Sequence, residues 1–523
     1  MTASVSAGAI AFIASAVLTG LVRAAARRLG LVAQPKADRW HQRPTAMFGG
    51  VAIAAAVGAG WLSTTLPASV RVVLLASGVM FVVGLIDDHY RLRPYQKLVG
   101  QVGAAAIVLG YGLVLAWTPW PAVNIALTVF WLVGITNAVN MLDNMDGLAA
   151  GIAAIAAACL ALNFARSGQA GEAAILWILC GALLGFLIYN FNPASIFMGD
   201  CGALFIGFLL ASSALMGQWG GRSRSVVAVL AIPVLTLFIP IFDTTFVTLA
   251  RKAFGRRASQ GGRDHTSHRL VALGLPERQA VLFLYLLAST AGGIALSTRE
   301  LETDVSLAMI GAFIITMAII GAYLARVKVY DAQEAPKTAP LLSFIIEFSY
   351  KRRIFEVLLD VVLIVSAYYV SYRVRFGPPD GGPDWAAFID TLPVVIGATV
   401  VTFLATGMYR GLWRYISAED VLVYARSVAT ATAVMVLWLL FVSRFAGLSR
   451  VAFLVNAGVL FVLIVATRSS FRIFRALVQR VAGGGTRAGG RVLIYGAGDA
   501  GEILFRELTG NASLERHPVA FFD

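Results

Sequence analysis

Aspartate, asparagine and histidine residues interrupt long apolar runs in this chain, and these are residue types that can hold metals and phosphates. They lie in five short segments: GLIDDHYRLRPYQK (84–97), NAVNMLDNMDGLAAG (137–151), NFNPASIFMGDCGALFIG (190–207), PIFDTT (240–245) and GGRDHTSHRL (261–270). An aspartate at the end of an apolar helix is costly unless it meets a cation, a polar partner or water. Clustered carboxylates repel one another, so a divalent cation is expected among them, and oxygen ligands favour Mg²⁺.

Together these residue types predict phosphoryl transfer. The acids expected to gather are Asp87, Asp88, Asp143, Asp146, Asp200 and Asp243. Segment 251–278 holds seven Lys and Arg together with His265 and His268, and a basic segment of this kind suits a diphosphate. Acids that hold Mg²⁺ beside cations that hold phosphates can catalyse phosphoryl transfer, which depends mostly on positioning and charge neutralisation. At a membrane surface, one substrate can be a lipid phosphate and the other a soluble nucleotide.

Structural interpretations of the same residues stay open. Asp87 and Asp88 could cap the end of a span and pair with Arg91 or Arg93. Asp243 could be a helix-end charge, and the two histidines could lie in an exposed loop.

A functional interpretation is favoured for one row of polar residues and for the aspartate between two glycines. The row is Asn137, Asn140, Asp143 and Asp146. Offsets of three place its members along one face of a helix that enters a loop, so they need a common partner. Asp200 is favoured because Gly199 and Gly202 beside it let a ligand approach the backbone closely.

Membrane-spanning helices are the elements that must position these residues. Apolar residues make up 59% of the chain and charged residues 13%, and the mean hydropathy is +0.78, so the charges cannot cover a globular surface. Apolar runs of about 20 residues recur, which is the length that crosses ~30 Å of hydrocarbon. In lipid, a helix satisfies the hydrogen-bonding groups of its backbone within one segment. The sequence predicts an all-α polytopic membrane protein with about 15 transmembrane helices and a short, incomplete C-terminal α/β Rossmann-like fragment.

Eleven spans are predicted in the first part of the chain and four in the second. The eleven lie near 4–26, 48–64, 68–87, 97–117, 121–140, 147–165, 172–190, 202–218, 225–250, 279–298 and 304–326, and the four near 354–373, 387–408, 424–443 and 451–468. With the N-terminus outside, most of the 42 Lys and Arg fall in cytoplasmic loops, as the positive-inside rule requires. The acids and histidines then lie at the cytoplasmic face. This topology explains the net charge of +14, so no nucleic acid partner is expected. The three cysteines have no paired spacing.

Residues 1 to about 326 resemble the polyprenyl-phosphate N-acetylhexosamine-1-phosphate transferases. This group includes the enzyme that puts GlcNAc-1-phosphate on undecaprenyl phosphate and, more distantly, phospho-N-acetylmuramoyl-pentapeptide transferase. The resemblance rests on five motifs in family order: DRWHQRPTAMFGG (38–50), DDHYRLRPYQK (87–97), NAVNMLDNMDGLAAG (137–151), FMGDCGALFIG (197–207) and RDHTSHRL (263–270). It implies an eleven-span enzyme in a bacterial inner or plasma membrane that uses Mg²⁺, or Mn²⁺ in its place, and releases UMP on the cytoplasmic side.

The resemblance also assigns roles to residues. The residues expected to be catalytic are Asp87, Asp88, Asp200, His265 and His268. Those expected to bind the polyprenyl phosphate or the UDP-sugar are His41, Lys97, Asn137, Asn140, Asp143, Asp146 and Arg269. The expected metal ligands are Asp143, Asp146 and Asp200. Direct attack by the lipid phosphate is favoured over a phosphorylated aspartate, because it needs no second step.

Three positions differ from the family pattern. Asn144 stands where many relatives carry Gly, Ala203 where Ser is usual, and Ser267 where a third His often stands. These differences bear on the choice of sugar and on fine positioning rather than on the reaction class.

The second part of the chain resembles the membrane-anchor region of nucleotide-sugar epimerases and dehydratases. The resemblance rests on the four spans and on GMYRGLWRYIS (407–417). Further on, segment RVLIYGAGDAGEILFREL (491–508) is predicted to form a strand, then a glycine-rich turn, then a helix. The turn contains Gly496, Gly498 and Gly501, and this order of elements is typical of a dinucleotide-binding turn. PVAFFD (518–523) reads as the next strand. One βαβ unit cannot bury its own sheet, so a truncated fragment is expected.

The predicted organisation has five segments. They are a transferase domain at 1–326, a cytoplasmic linker at 327–345, a four-span region at 346–480, a Gly-rich linker at 481–490 and the Rossmann-like fragment at 491–523. Two other functions stay open: a transporter, and a membrane anchor or partner for nucleotide-sugar modification. A transporter would carry charges near the bilayer midplane, whereas the acids here lie at one face. UDP-GlcNAc is the favoured donor by resemblance, while the glycan pathway and the oligomeric state, including a homodimer, are left open.

Overall fold

The computed structural model is almost entirely helical. It describes residues 2–34, 44–217, 226–253, 262, 264–298, 303–325, 327, 352–377, 383–409, 418–443, 449–482, 490–495, 504, 508 and 516–522. The helices before residue 330 are α1 (Thr2–Arg28), α2 (Gly49–Leu62), α3 (Ala68–Tyr90), α4 (Pro94–Gly110), α5 (Pro121–Leu142), α6 (Leu148–Arg166), α7 (Ala170–Asn190), α8 (Gly199–Leu215), α9 (Val226–Thr236), α10 (Phe238–Ala253), α11 (Thr266–Ala272), α12 (Glu277–Ser297) and α13 (Thr303–Leu324). Those after it are α14 (Arg352–Phe376), α15 (Pro383–Ala405), α16 (Ala418–Ser443) and α17 (Arg450–Ala482). The strands are β1 (Val32–Ala33), β2 (Thr45–Ala46), β3 (Gly490–Tyr495) and β4 (Arg516–Phe522).

Many of these helices have the length and composition of membrane spans. In the described part of the chain, nine helices are long and apolar enough to cross a bilayer, and three shorter apolar helices accompany them. The prediction of an all-α membrane protein is therefore confirmed, while the count of fifteen spans stays a prediction.

One predicted span is interrupted, and one helix is longer than its span. The span predicted at 225–250 contains two helices, α9 and α10, which are separated at Leu237. Pro233 lies inside α9, and a proline removes a backbone donor and disturbs the preceding turn. The candidate span Arg450–Ser469 agrees with the span predicted at 451–468, while α17 itself continues to Ala482. Hydropathy marks where a helix leaves lipid, not where its hydrogen bonding ends, and the bounds of the Gly-rich linker stay a prediction.

Glycines bring the first turn of α8 into backbone contact with α2 and α3. A Cβ on Gly84 of α3 would lie 2.5 Å from the carbonyl oxygen of Asp200, and one on Gly50 of α2 would lie 2.3 Å from the amide nitrogen of Gly202. Small residues at helix contacts let backbones approach closely in membrane proteins. The start of α8 is thereby held against the end of α3.

The chain before α8 is also paired with the chain before α2. β2 runs antiparallel to β1, with Val32 opposite Ala46, and Ala46 forms a parallel bridge with Ile196. The amide of Gly49 donates to the carbonyl of Phe197 at 2.9 Å. The starts of α2 and α8 are therefore fixed side by side.

The helices α14–α17 pack around a second buried core, which Ile319 of α13 joins. Tyr368, Phe403 and Phe453 are fully buried in it. A buried ion pair joins Arg468 of α17 to Asp360 of α14 at 2.7 Å, and the Arg468 guanidinium carbon lies 4.8 Å from the ring centroid of Tyr424. Charges inside a helix bundle of this kind are expected to pair with each other.

The strands predicted near the C-terminal end are present. β3 and β4 pair in parallel, as the two strands of a βαβ unit would. The glycines between them, Gly496, Gly498 and Gly501, lie outside the described residues, so the nucleotide-binding turn stays a prediction.

The contact between α3 and α8 predicts a difference between two glycines of the same helix. Gly84→Ala should lower the free energy of unfolding by about 1–3 kcal/mol, because the added methyl meets backbone that cannot move aside. Gly78→Ala is the matched control, since a Cβ at Gly78 meets nothing within 4 Å. Thermal unfolding of both variants in detergent measures the difference. Equal thermal midpoints for the two variants would contradict the close backbone contact between α3 and α8.

Candidate active site

Asp200, in the first turn of α8, is held by two neighbouring helices. The Lys97 amino group of α4 lies 2.8 Å from Oδ2 of Asp200 and also contacts the carboxylate of Asp87. The Asn140 amide of α5 donates to Oδ1 of Asp200 at 2.8 Å. The side chains of Lys97 and Asp200 are 24% and 34% exposed, so a ligand can reach this pair.

Asp88 caps the start of α8. Its two carboxylate oxygens accept hydrogen bonds from the amides of Asp200 at 2.8 Å and Cys201 at 3.0 Å. The first amides of a helix have no partner within the helix, and a carboxylate there is also favoured by the helix dipole. Gly199 has a φ of 78°, and a Cβ on it would lie 2.7 Å from Oδ2 of Asp88. Asp88 therefore fixes the position of the first turn of α8, which carries Asp200.

Asp87 faces the other way from its neighbour. One of its oxygens accepts the amide of Leu92 at 2.7 Å, and its carboxylate contacts Lys97. Lys97 is thus a cation that contacts both Asp87 and Asp200, and the family resemblance implies that it binds the polyprenyl phosphate or the UDP-sugar.

The row of polar residues 137–146 does not lie on one helix face, and that prediction is wrong. α5 ends at Leu142, Asp143 caps its C-terminus, and Asp146 lies in the turn before α6. The chain reverses there at Gly147, whose φ is 75°. Asp146 accepts the amide of Ala194 at 2.8 Å.

Asn137 is tied to a residue that the sequence analysis missed. Its side-chain amide and that of Gln101 exchange two hydrogen bonds of 3.0 Å, which join α5 to α4. Gln101 follows Lys97 by four residues, a spacing that places both on one helix face, and this polar residue in an apolar run was the available signal. The predicted contact of Asn137 with substrate stays a prediction.

Asp143 shows that the acids repel one another. Burial raises the pKa of its carboxyl to about 7, and the charges of Asp200, Asp88 and Asp146 add to the effect. The charged neighbours that act on Asp143 are therefore all acids.

The residues fit Mg²⁺ that is shared with a ligand, not a cage made by the protein alone. In the described ranges, no three His, Cys, Asp or Glu side chains converge closely enough to form a metal site by themselves. Mg²⁺ is usually bound through one or two carboxylates together with waters and phosphate oxygens. Asp200 has the exposure for that role, and the mutual repulsion felt by Asp143 is what a cation would relieve.

The histidine segment is fixed by Asp243, which is not a free helix-end charge. Nδ1 of His265 lies 2.7 Å from Oδ2 of Asp243, and the amide of Thr266 donates to Oδ1 at 2.8 Å. A carboxylate on one ring nitrogen orients the ring and leaves Nε2 for a ligand. His268 lies beside it, with the two ring centroids 5.9 Å apart.

Arg269 is fully buried and anchors α11. Its guanidinium donates to the carbonyls of Asp264 at 2.9 Å and Leu324 at 3.0 Å. Asp264, which the sequence analysis did not single out, pairs with Arg251 through two hydrogen bonds of 2.7 and 2.8 Å. These contacts give Arg269 a structural role here, and its predicted contact with the diphosphate stays a prediction. His41 lies outside the described residues, so its role is also still a prediction.

The raised pKa of Asp143 predicts how pH changes stability without divalent cations. The folded state binds this proton up to about pH 7, whereas the ordinary pKa is 3.8. Asp143 therefore contributes stability that rises as pH falls from above 7 towards 4. The thermal midpoint of the wild type, measured in EDTA at pH 8 and pH 6, should gain more on acidification than that of Asp143→Asn. Identical gains would show that Asp143 titrates normally.

Comparisons with known proteins find relatives whose names describe sugar-phosphate transferases. The chain is similar to "Probable undecaprenyl-phosphate N-acetylglucosaminyl 1-phosphate transferase" of Bacillus subtilis, with 34% identity over 331 residues, 60% of this chain and 90% of that protein. It is similar to the decaprenyl-phosphate N-acetylglucosaminephosphotransferase of Mycobacterium tuberculosis, with 35% identity over 57% of this chain and 83% of that protein. The phospho-N-acetylmuramoyl-pentapeptide-transferase of Limosilactobacillus fermentum is 29% identical over 52% of this chain and 89% of its own length.

A family model matches the part of the chain that holds most of the site. Residues 70–218 match the model described as glycosyl transferase family 4, and this range includes Asp88, Lys97, Asn140 and Asp200. The relatives extend the match to well over half of the chain. The chain therefore belongs to glycosyl transferase family 4.

Proposed function

We propose that this protein transfers N-acetylhexosamine-1-phosphate from a UDP-sugar to a polyprenyl phosphate and releases UMP. GlcNAc-1-phosphate is the proposed group, because relatives that the chain covers over 83–90% of their length carry that activity in their names. The observation that carries the proposal is the convergence of separate segments around Asp200. Lys97 and Asn140 hold this carboxylate from two helices, as a phosphoryl-transfer site requires.

The proposed reaction is a direct displacement. An oxygen of the lipid phosphate attacks the phosphorus that bears the sugar, a new phosphorus–oxygen bond forms, and the bond to UMP breaks. Mg²⁺, held by Asp200 with Asp143 and Asp146, would neutralise the diphosphate and the leaving UMP.

The residues of the chain bind and orient the reactants. Lys97, which lies between Asp87 and Asp200, would balance the charge of the attacking lipid phosphate. Asn140 fixes the rotamer of Asp200, so its carboxylate is preorganised. His265 would present Nε2 to the diphosphate, because Nδ1 is engaged by Asp243, and His268 would contact the diphosphate or the sugar.

The proposed setting is a bacterial inner or plasma membrane, with the site at the cytoplasmic face. The concentration of Lys and Arg in alternate loops supports this orientation. The proposal includes fifteen spans, of which eleven lie within residues 1–326. It gives this reaction the role of a first step in the assembly of a cell-envelope glycan.

The second part is proposed to be a separate unit that resembles the anchor region of nucleotide-sugar epimerases and dehydratases. Its bounds are 346–480 for the spans and 491–523 for the Rossmann-like fragment, with linkers at 327–345 and near 481–490. The buried core centred on α14–α17 and the parallel pairing of β3 with β4 support this division.

Release of UMP tests the reaction. The full chain in detergent, supplied with undecaprenyl phosphate, UDP-GlcNAc and Mg²⁺, should release UMP only when the lipid and the metal are both present. Asp200→Asn should reduce kcat by about a thousandfold, because it removes the carboxylate charge that would hold Mg²⁺ and that pairs with Lys97, the cations that offset the charge of the transition state. Asp390→Asn, which changes an exposed aspartate of α15, is the matched control and should keep the wild-type rate. If the folded protein released no UMP from any UDP-N-acetylhexosamine, the proposed reaction would be wrong.

Asp243 predicts a second kinetic effect. Asp243→Asn should lower kcat by about 10–100-fold, the usual cost of removing a carboxylate that orients a functional histidine. The rate is measured by UMP release from the full chain in detergent, with Asp390→Asn as the matched control. An unchanged kcat would mean that Asp243 serves only the fold.

A further inference from the structure

One hydrogen bond directly joins the acidic turn to the histidine segment. Ser267 donates its hydroxyl to Oδ1 of Asn144 at 2.7 Å. Asn144 lies in the turn after α5 that carries Asp143 and Asp146, and Ser267 follows His265 by two residues. We call the pair Asn144–Ser267 the clasp.

The acidic side of the clasp is fixed by the segment between α7 and α8. Asp146 accepts the amide of Ala194, and the amide of Gly147 donates to Oδ1 of Asn190 at 3.1 Å. The hydroxyl of Tyr285 in α12 donates to the carbonyl of Gly147. This side of the site therefore moves with α7 and α12.

The histidine side is fixed by different helices. Asp243 of α10 holds His265 and Thr266, and Arg269 bonds to the carbonyl of Leu324 at the end of α13. The two sides share one buried apolar cluster, and the clasp adds a directional hydrogen bond between them.

The bridging groups have defined orientations. Nδ2 of Asn144 donates to the carbonyl of Met141 at 2.9 Å, so the amide is bound at both ends. Ser267 is buried. If its hydroxyl lost its acceptor, water could not replace the hydrogen bond, and the unsatisfied group would destabilise the fold. The contact therefore fixes a distance rather than merely filling space.

We propose that Asn144 and Ser267 are positioning residues that set the separation between the acids and the histidines. The inference rests on the proposed function, in which the acids hold the metal side of the diphosphate and the histidines hold its other side. A displacement of about 1 Å between such groups can cost about a hundredfold in rate.

A double-mutant cycle tests the clasp. Ser267→Ala and Asn144→Ala should each lower kcat for UMP release about tenfold, with a smaller change in KM for UDP-GlcNAc, because the contact matters most in the transition state. The double variant should lose about tenfold rather than about a hundredfold, since both changes remove one interaction. Ser267→Thr keeps the hydroxyl and should recover most of the rate.

Ser15→Ala is the matched control. Ser15 is also buried and donates across helices, to the carbonyl of Ala182 at 2.6 Å, but it belongs to the α1–α7 contact. Its variant should keep the wild-type kcat. If Ser15→Ala lost as much activity as Ser267→Ala, the clasp would be an ordinary packing contact.

Amide hydrogen exchange supplies a readout that does not need turnover. Residues 266–273 should exchange faster in Ser267→Ala and in Asn144→Ala than in the wild type or Ser15→Ala. Unchanged exchange, or losses of kcat that add in the double variant, would overturn the clasp. Wild-type protein that releases no UMP would overturn the proposed function instead, and the exchange result would still decide whether this contact positions α11.

Discussion

The carboxylate of Asp88 meets the first amides of α8 where two helices touch at their backbones. Two requirements coincide there. The amides at the start of a helix need acceptors, and a carboxylate at the edge of an apolar medium needs donors. Gly84 and Gly199 provide the space for this contact, since side chains at either position would collide with it. Because Asp200 is the second residue of α8, the cap on this helix also decides where the central carboxylate of the site lies.

Charge balance explains the rest of the cluster. Lys97 faces both Asp87 and Asp200, so one cation serves two acids. Asp143 has no such cation among the causes of its pKa shift, which are burial and three neighbouring acids. The charges that act on Asp143 are therefore all negative. An added cation would be stabilised beside Asp143, and an anion would be stabilised beside Lys97.

The sequence predicted which segments converge but not which partner each side chain takes. Polar groups at the ends of apolar helices were expected to gather, and Asp200 and Asn140 do lie in contact. Lys97 was expected at the site from the family resemblance alone, and it pairs with Asp200. Residue spacing placed Asp146 on a helix that ends earlier, since periodicity does not show where the chain reverses at Gly147. It also could not tell that both oxygens of Asp88 would be used by the backbone of α8. Such choices depend on tertiary contacts between helices that lie far apart in the sequence.

Exposure separates two uses of charge in this protein. Arg468 and Asp360 are each 1% exposed and close on each other inside a helix bundle, whereas Lys97 and Asp200 form a similar pair at 24% and 34% exposure. Breaking the first pair would leave a charge buried without solvent, so it is suited to hold helices in register. The second pair can exchange its partner for a phosphate or a metal at little cost, because water already reaches it. A sequence shows only acids and bases within apolar segments, and burial decides which of them can do chemistry.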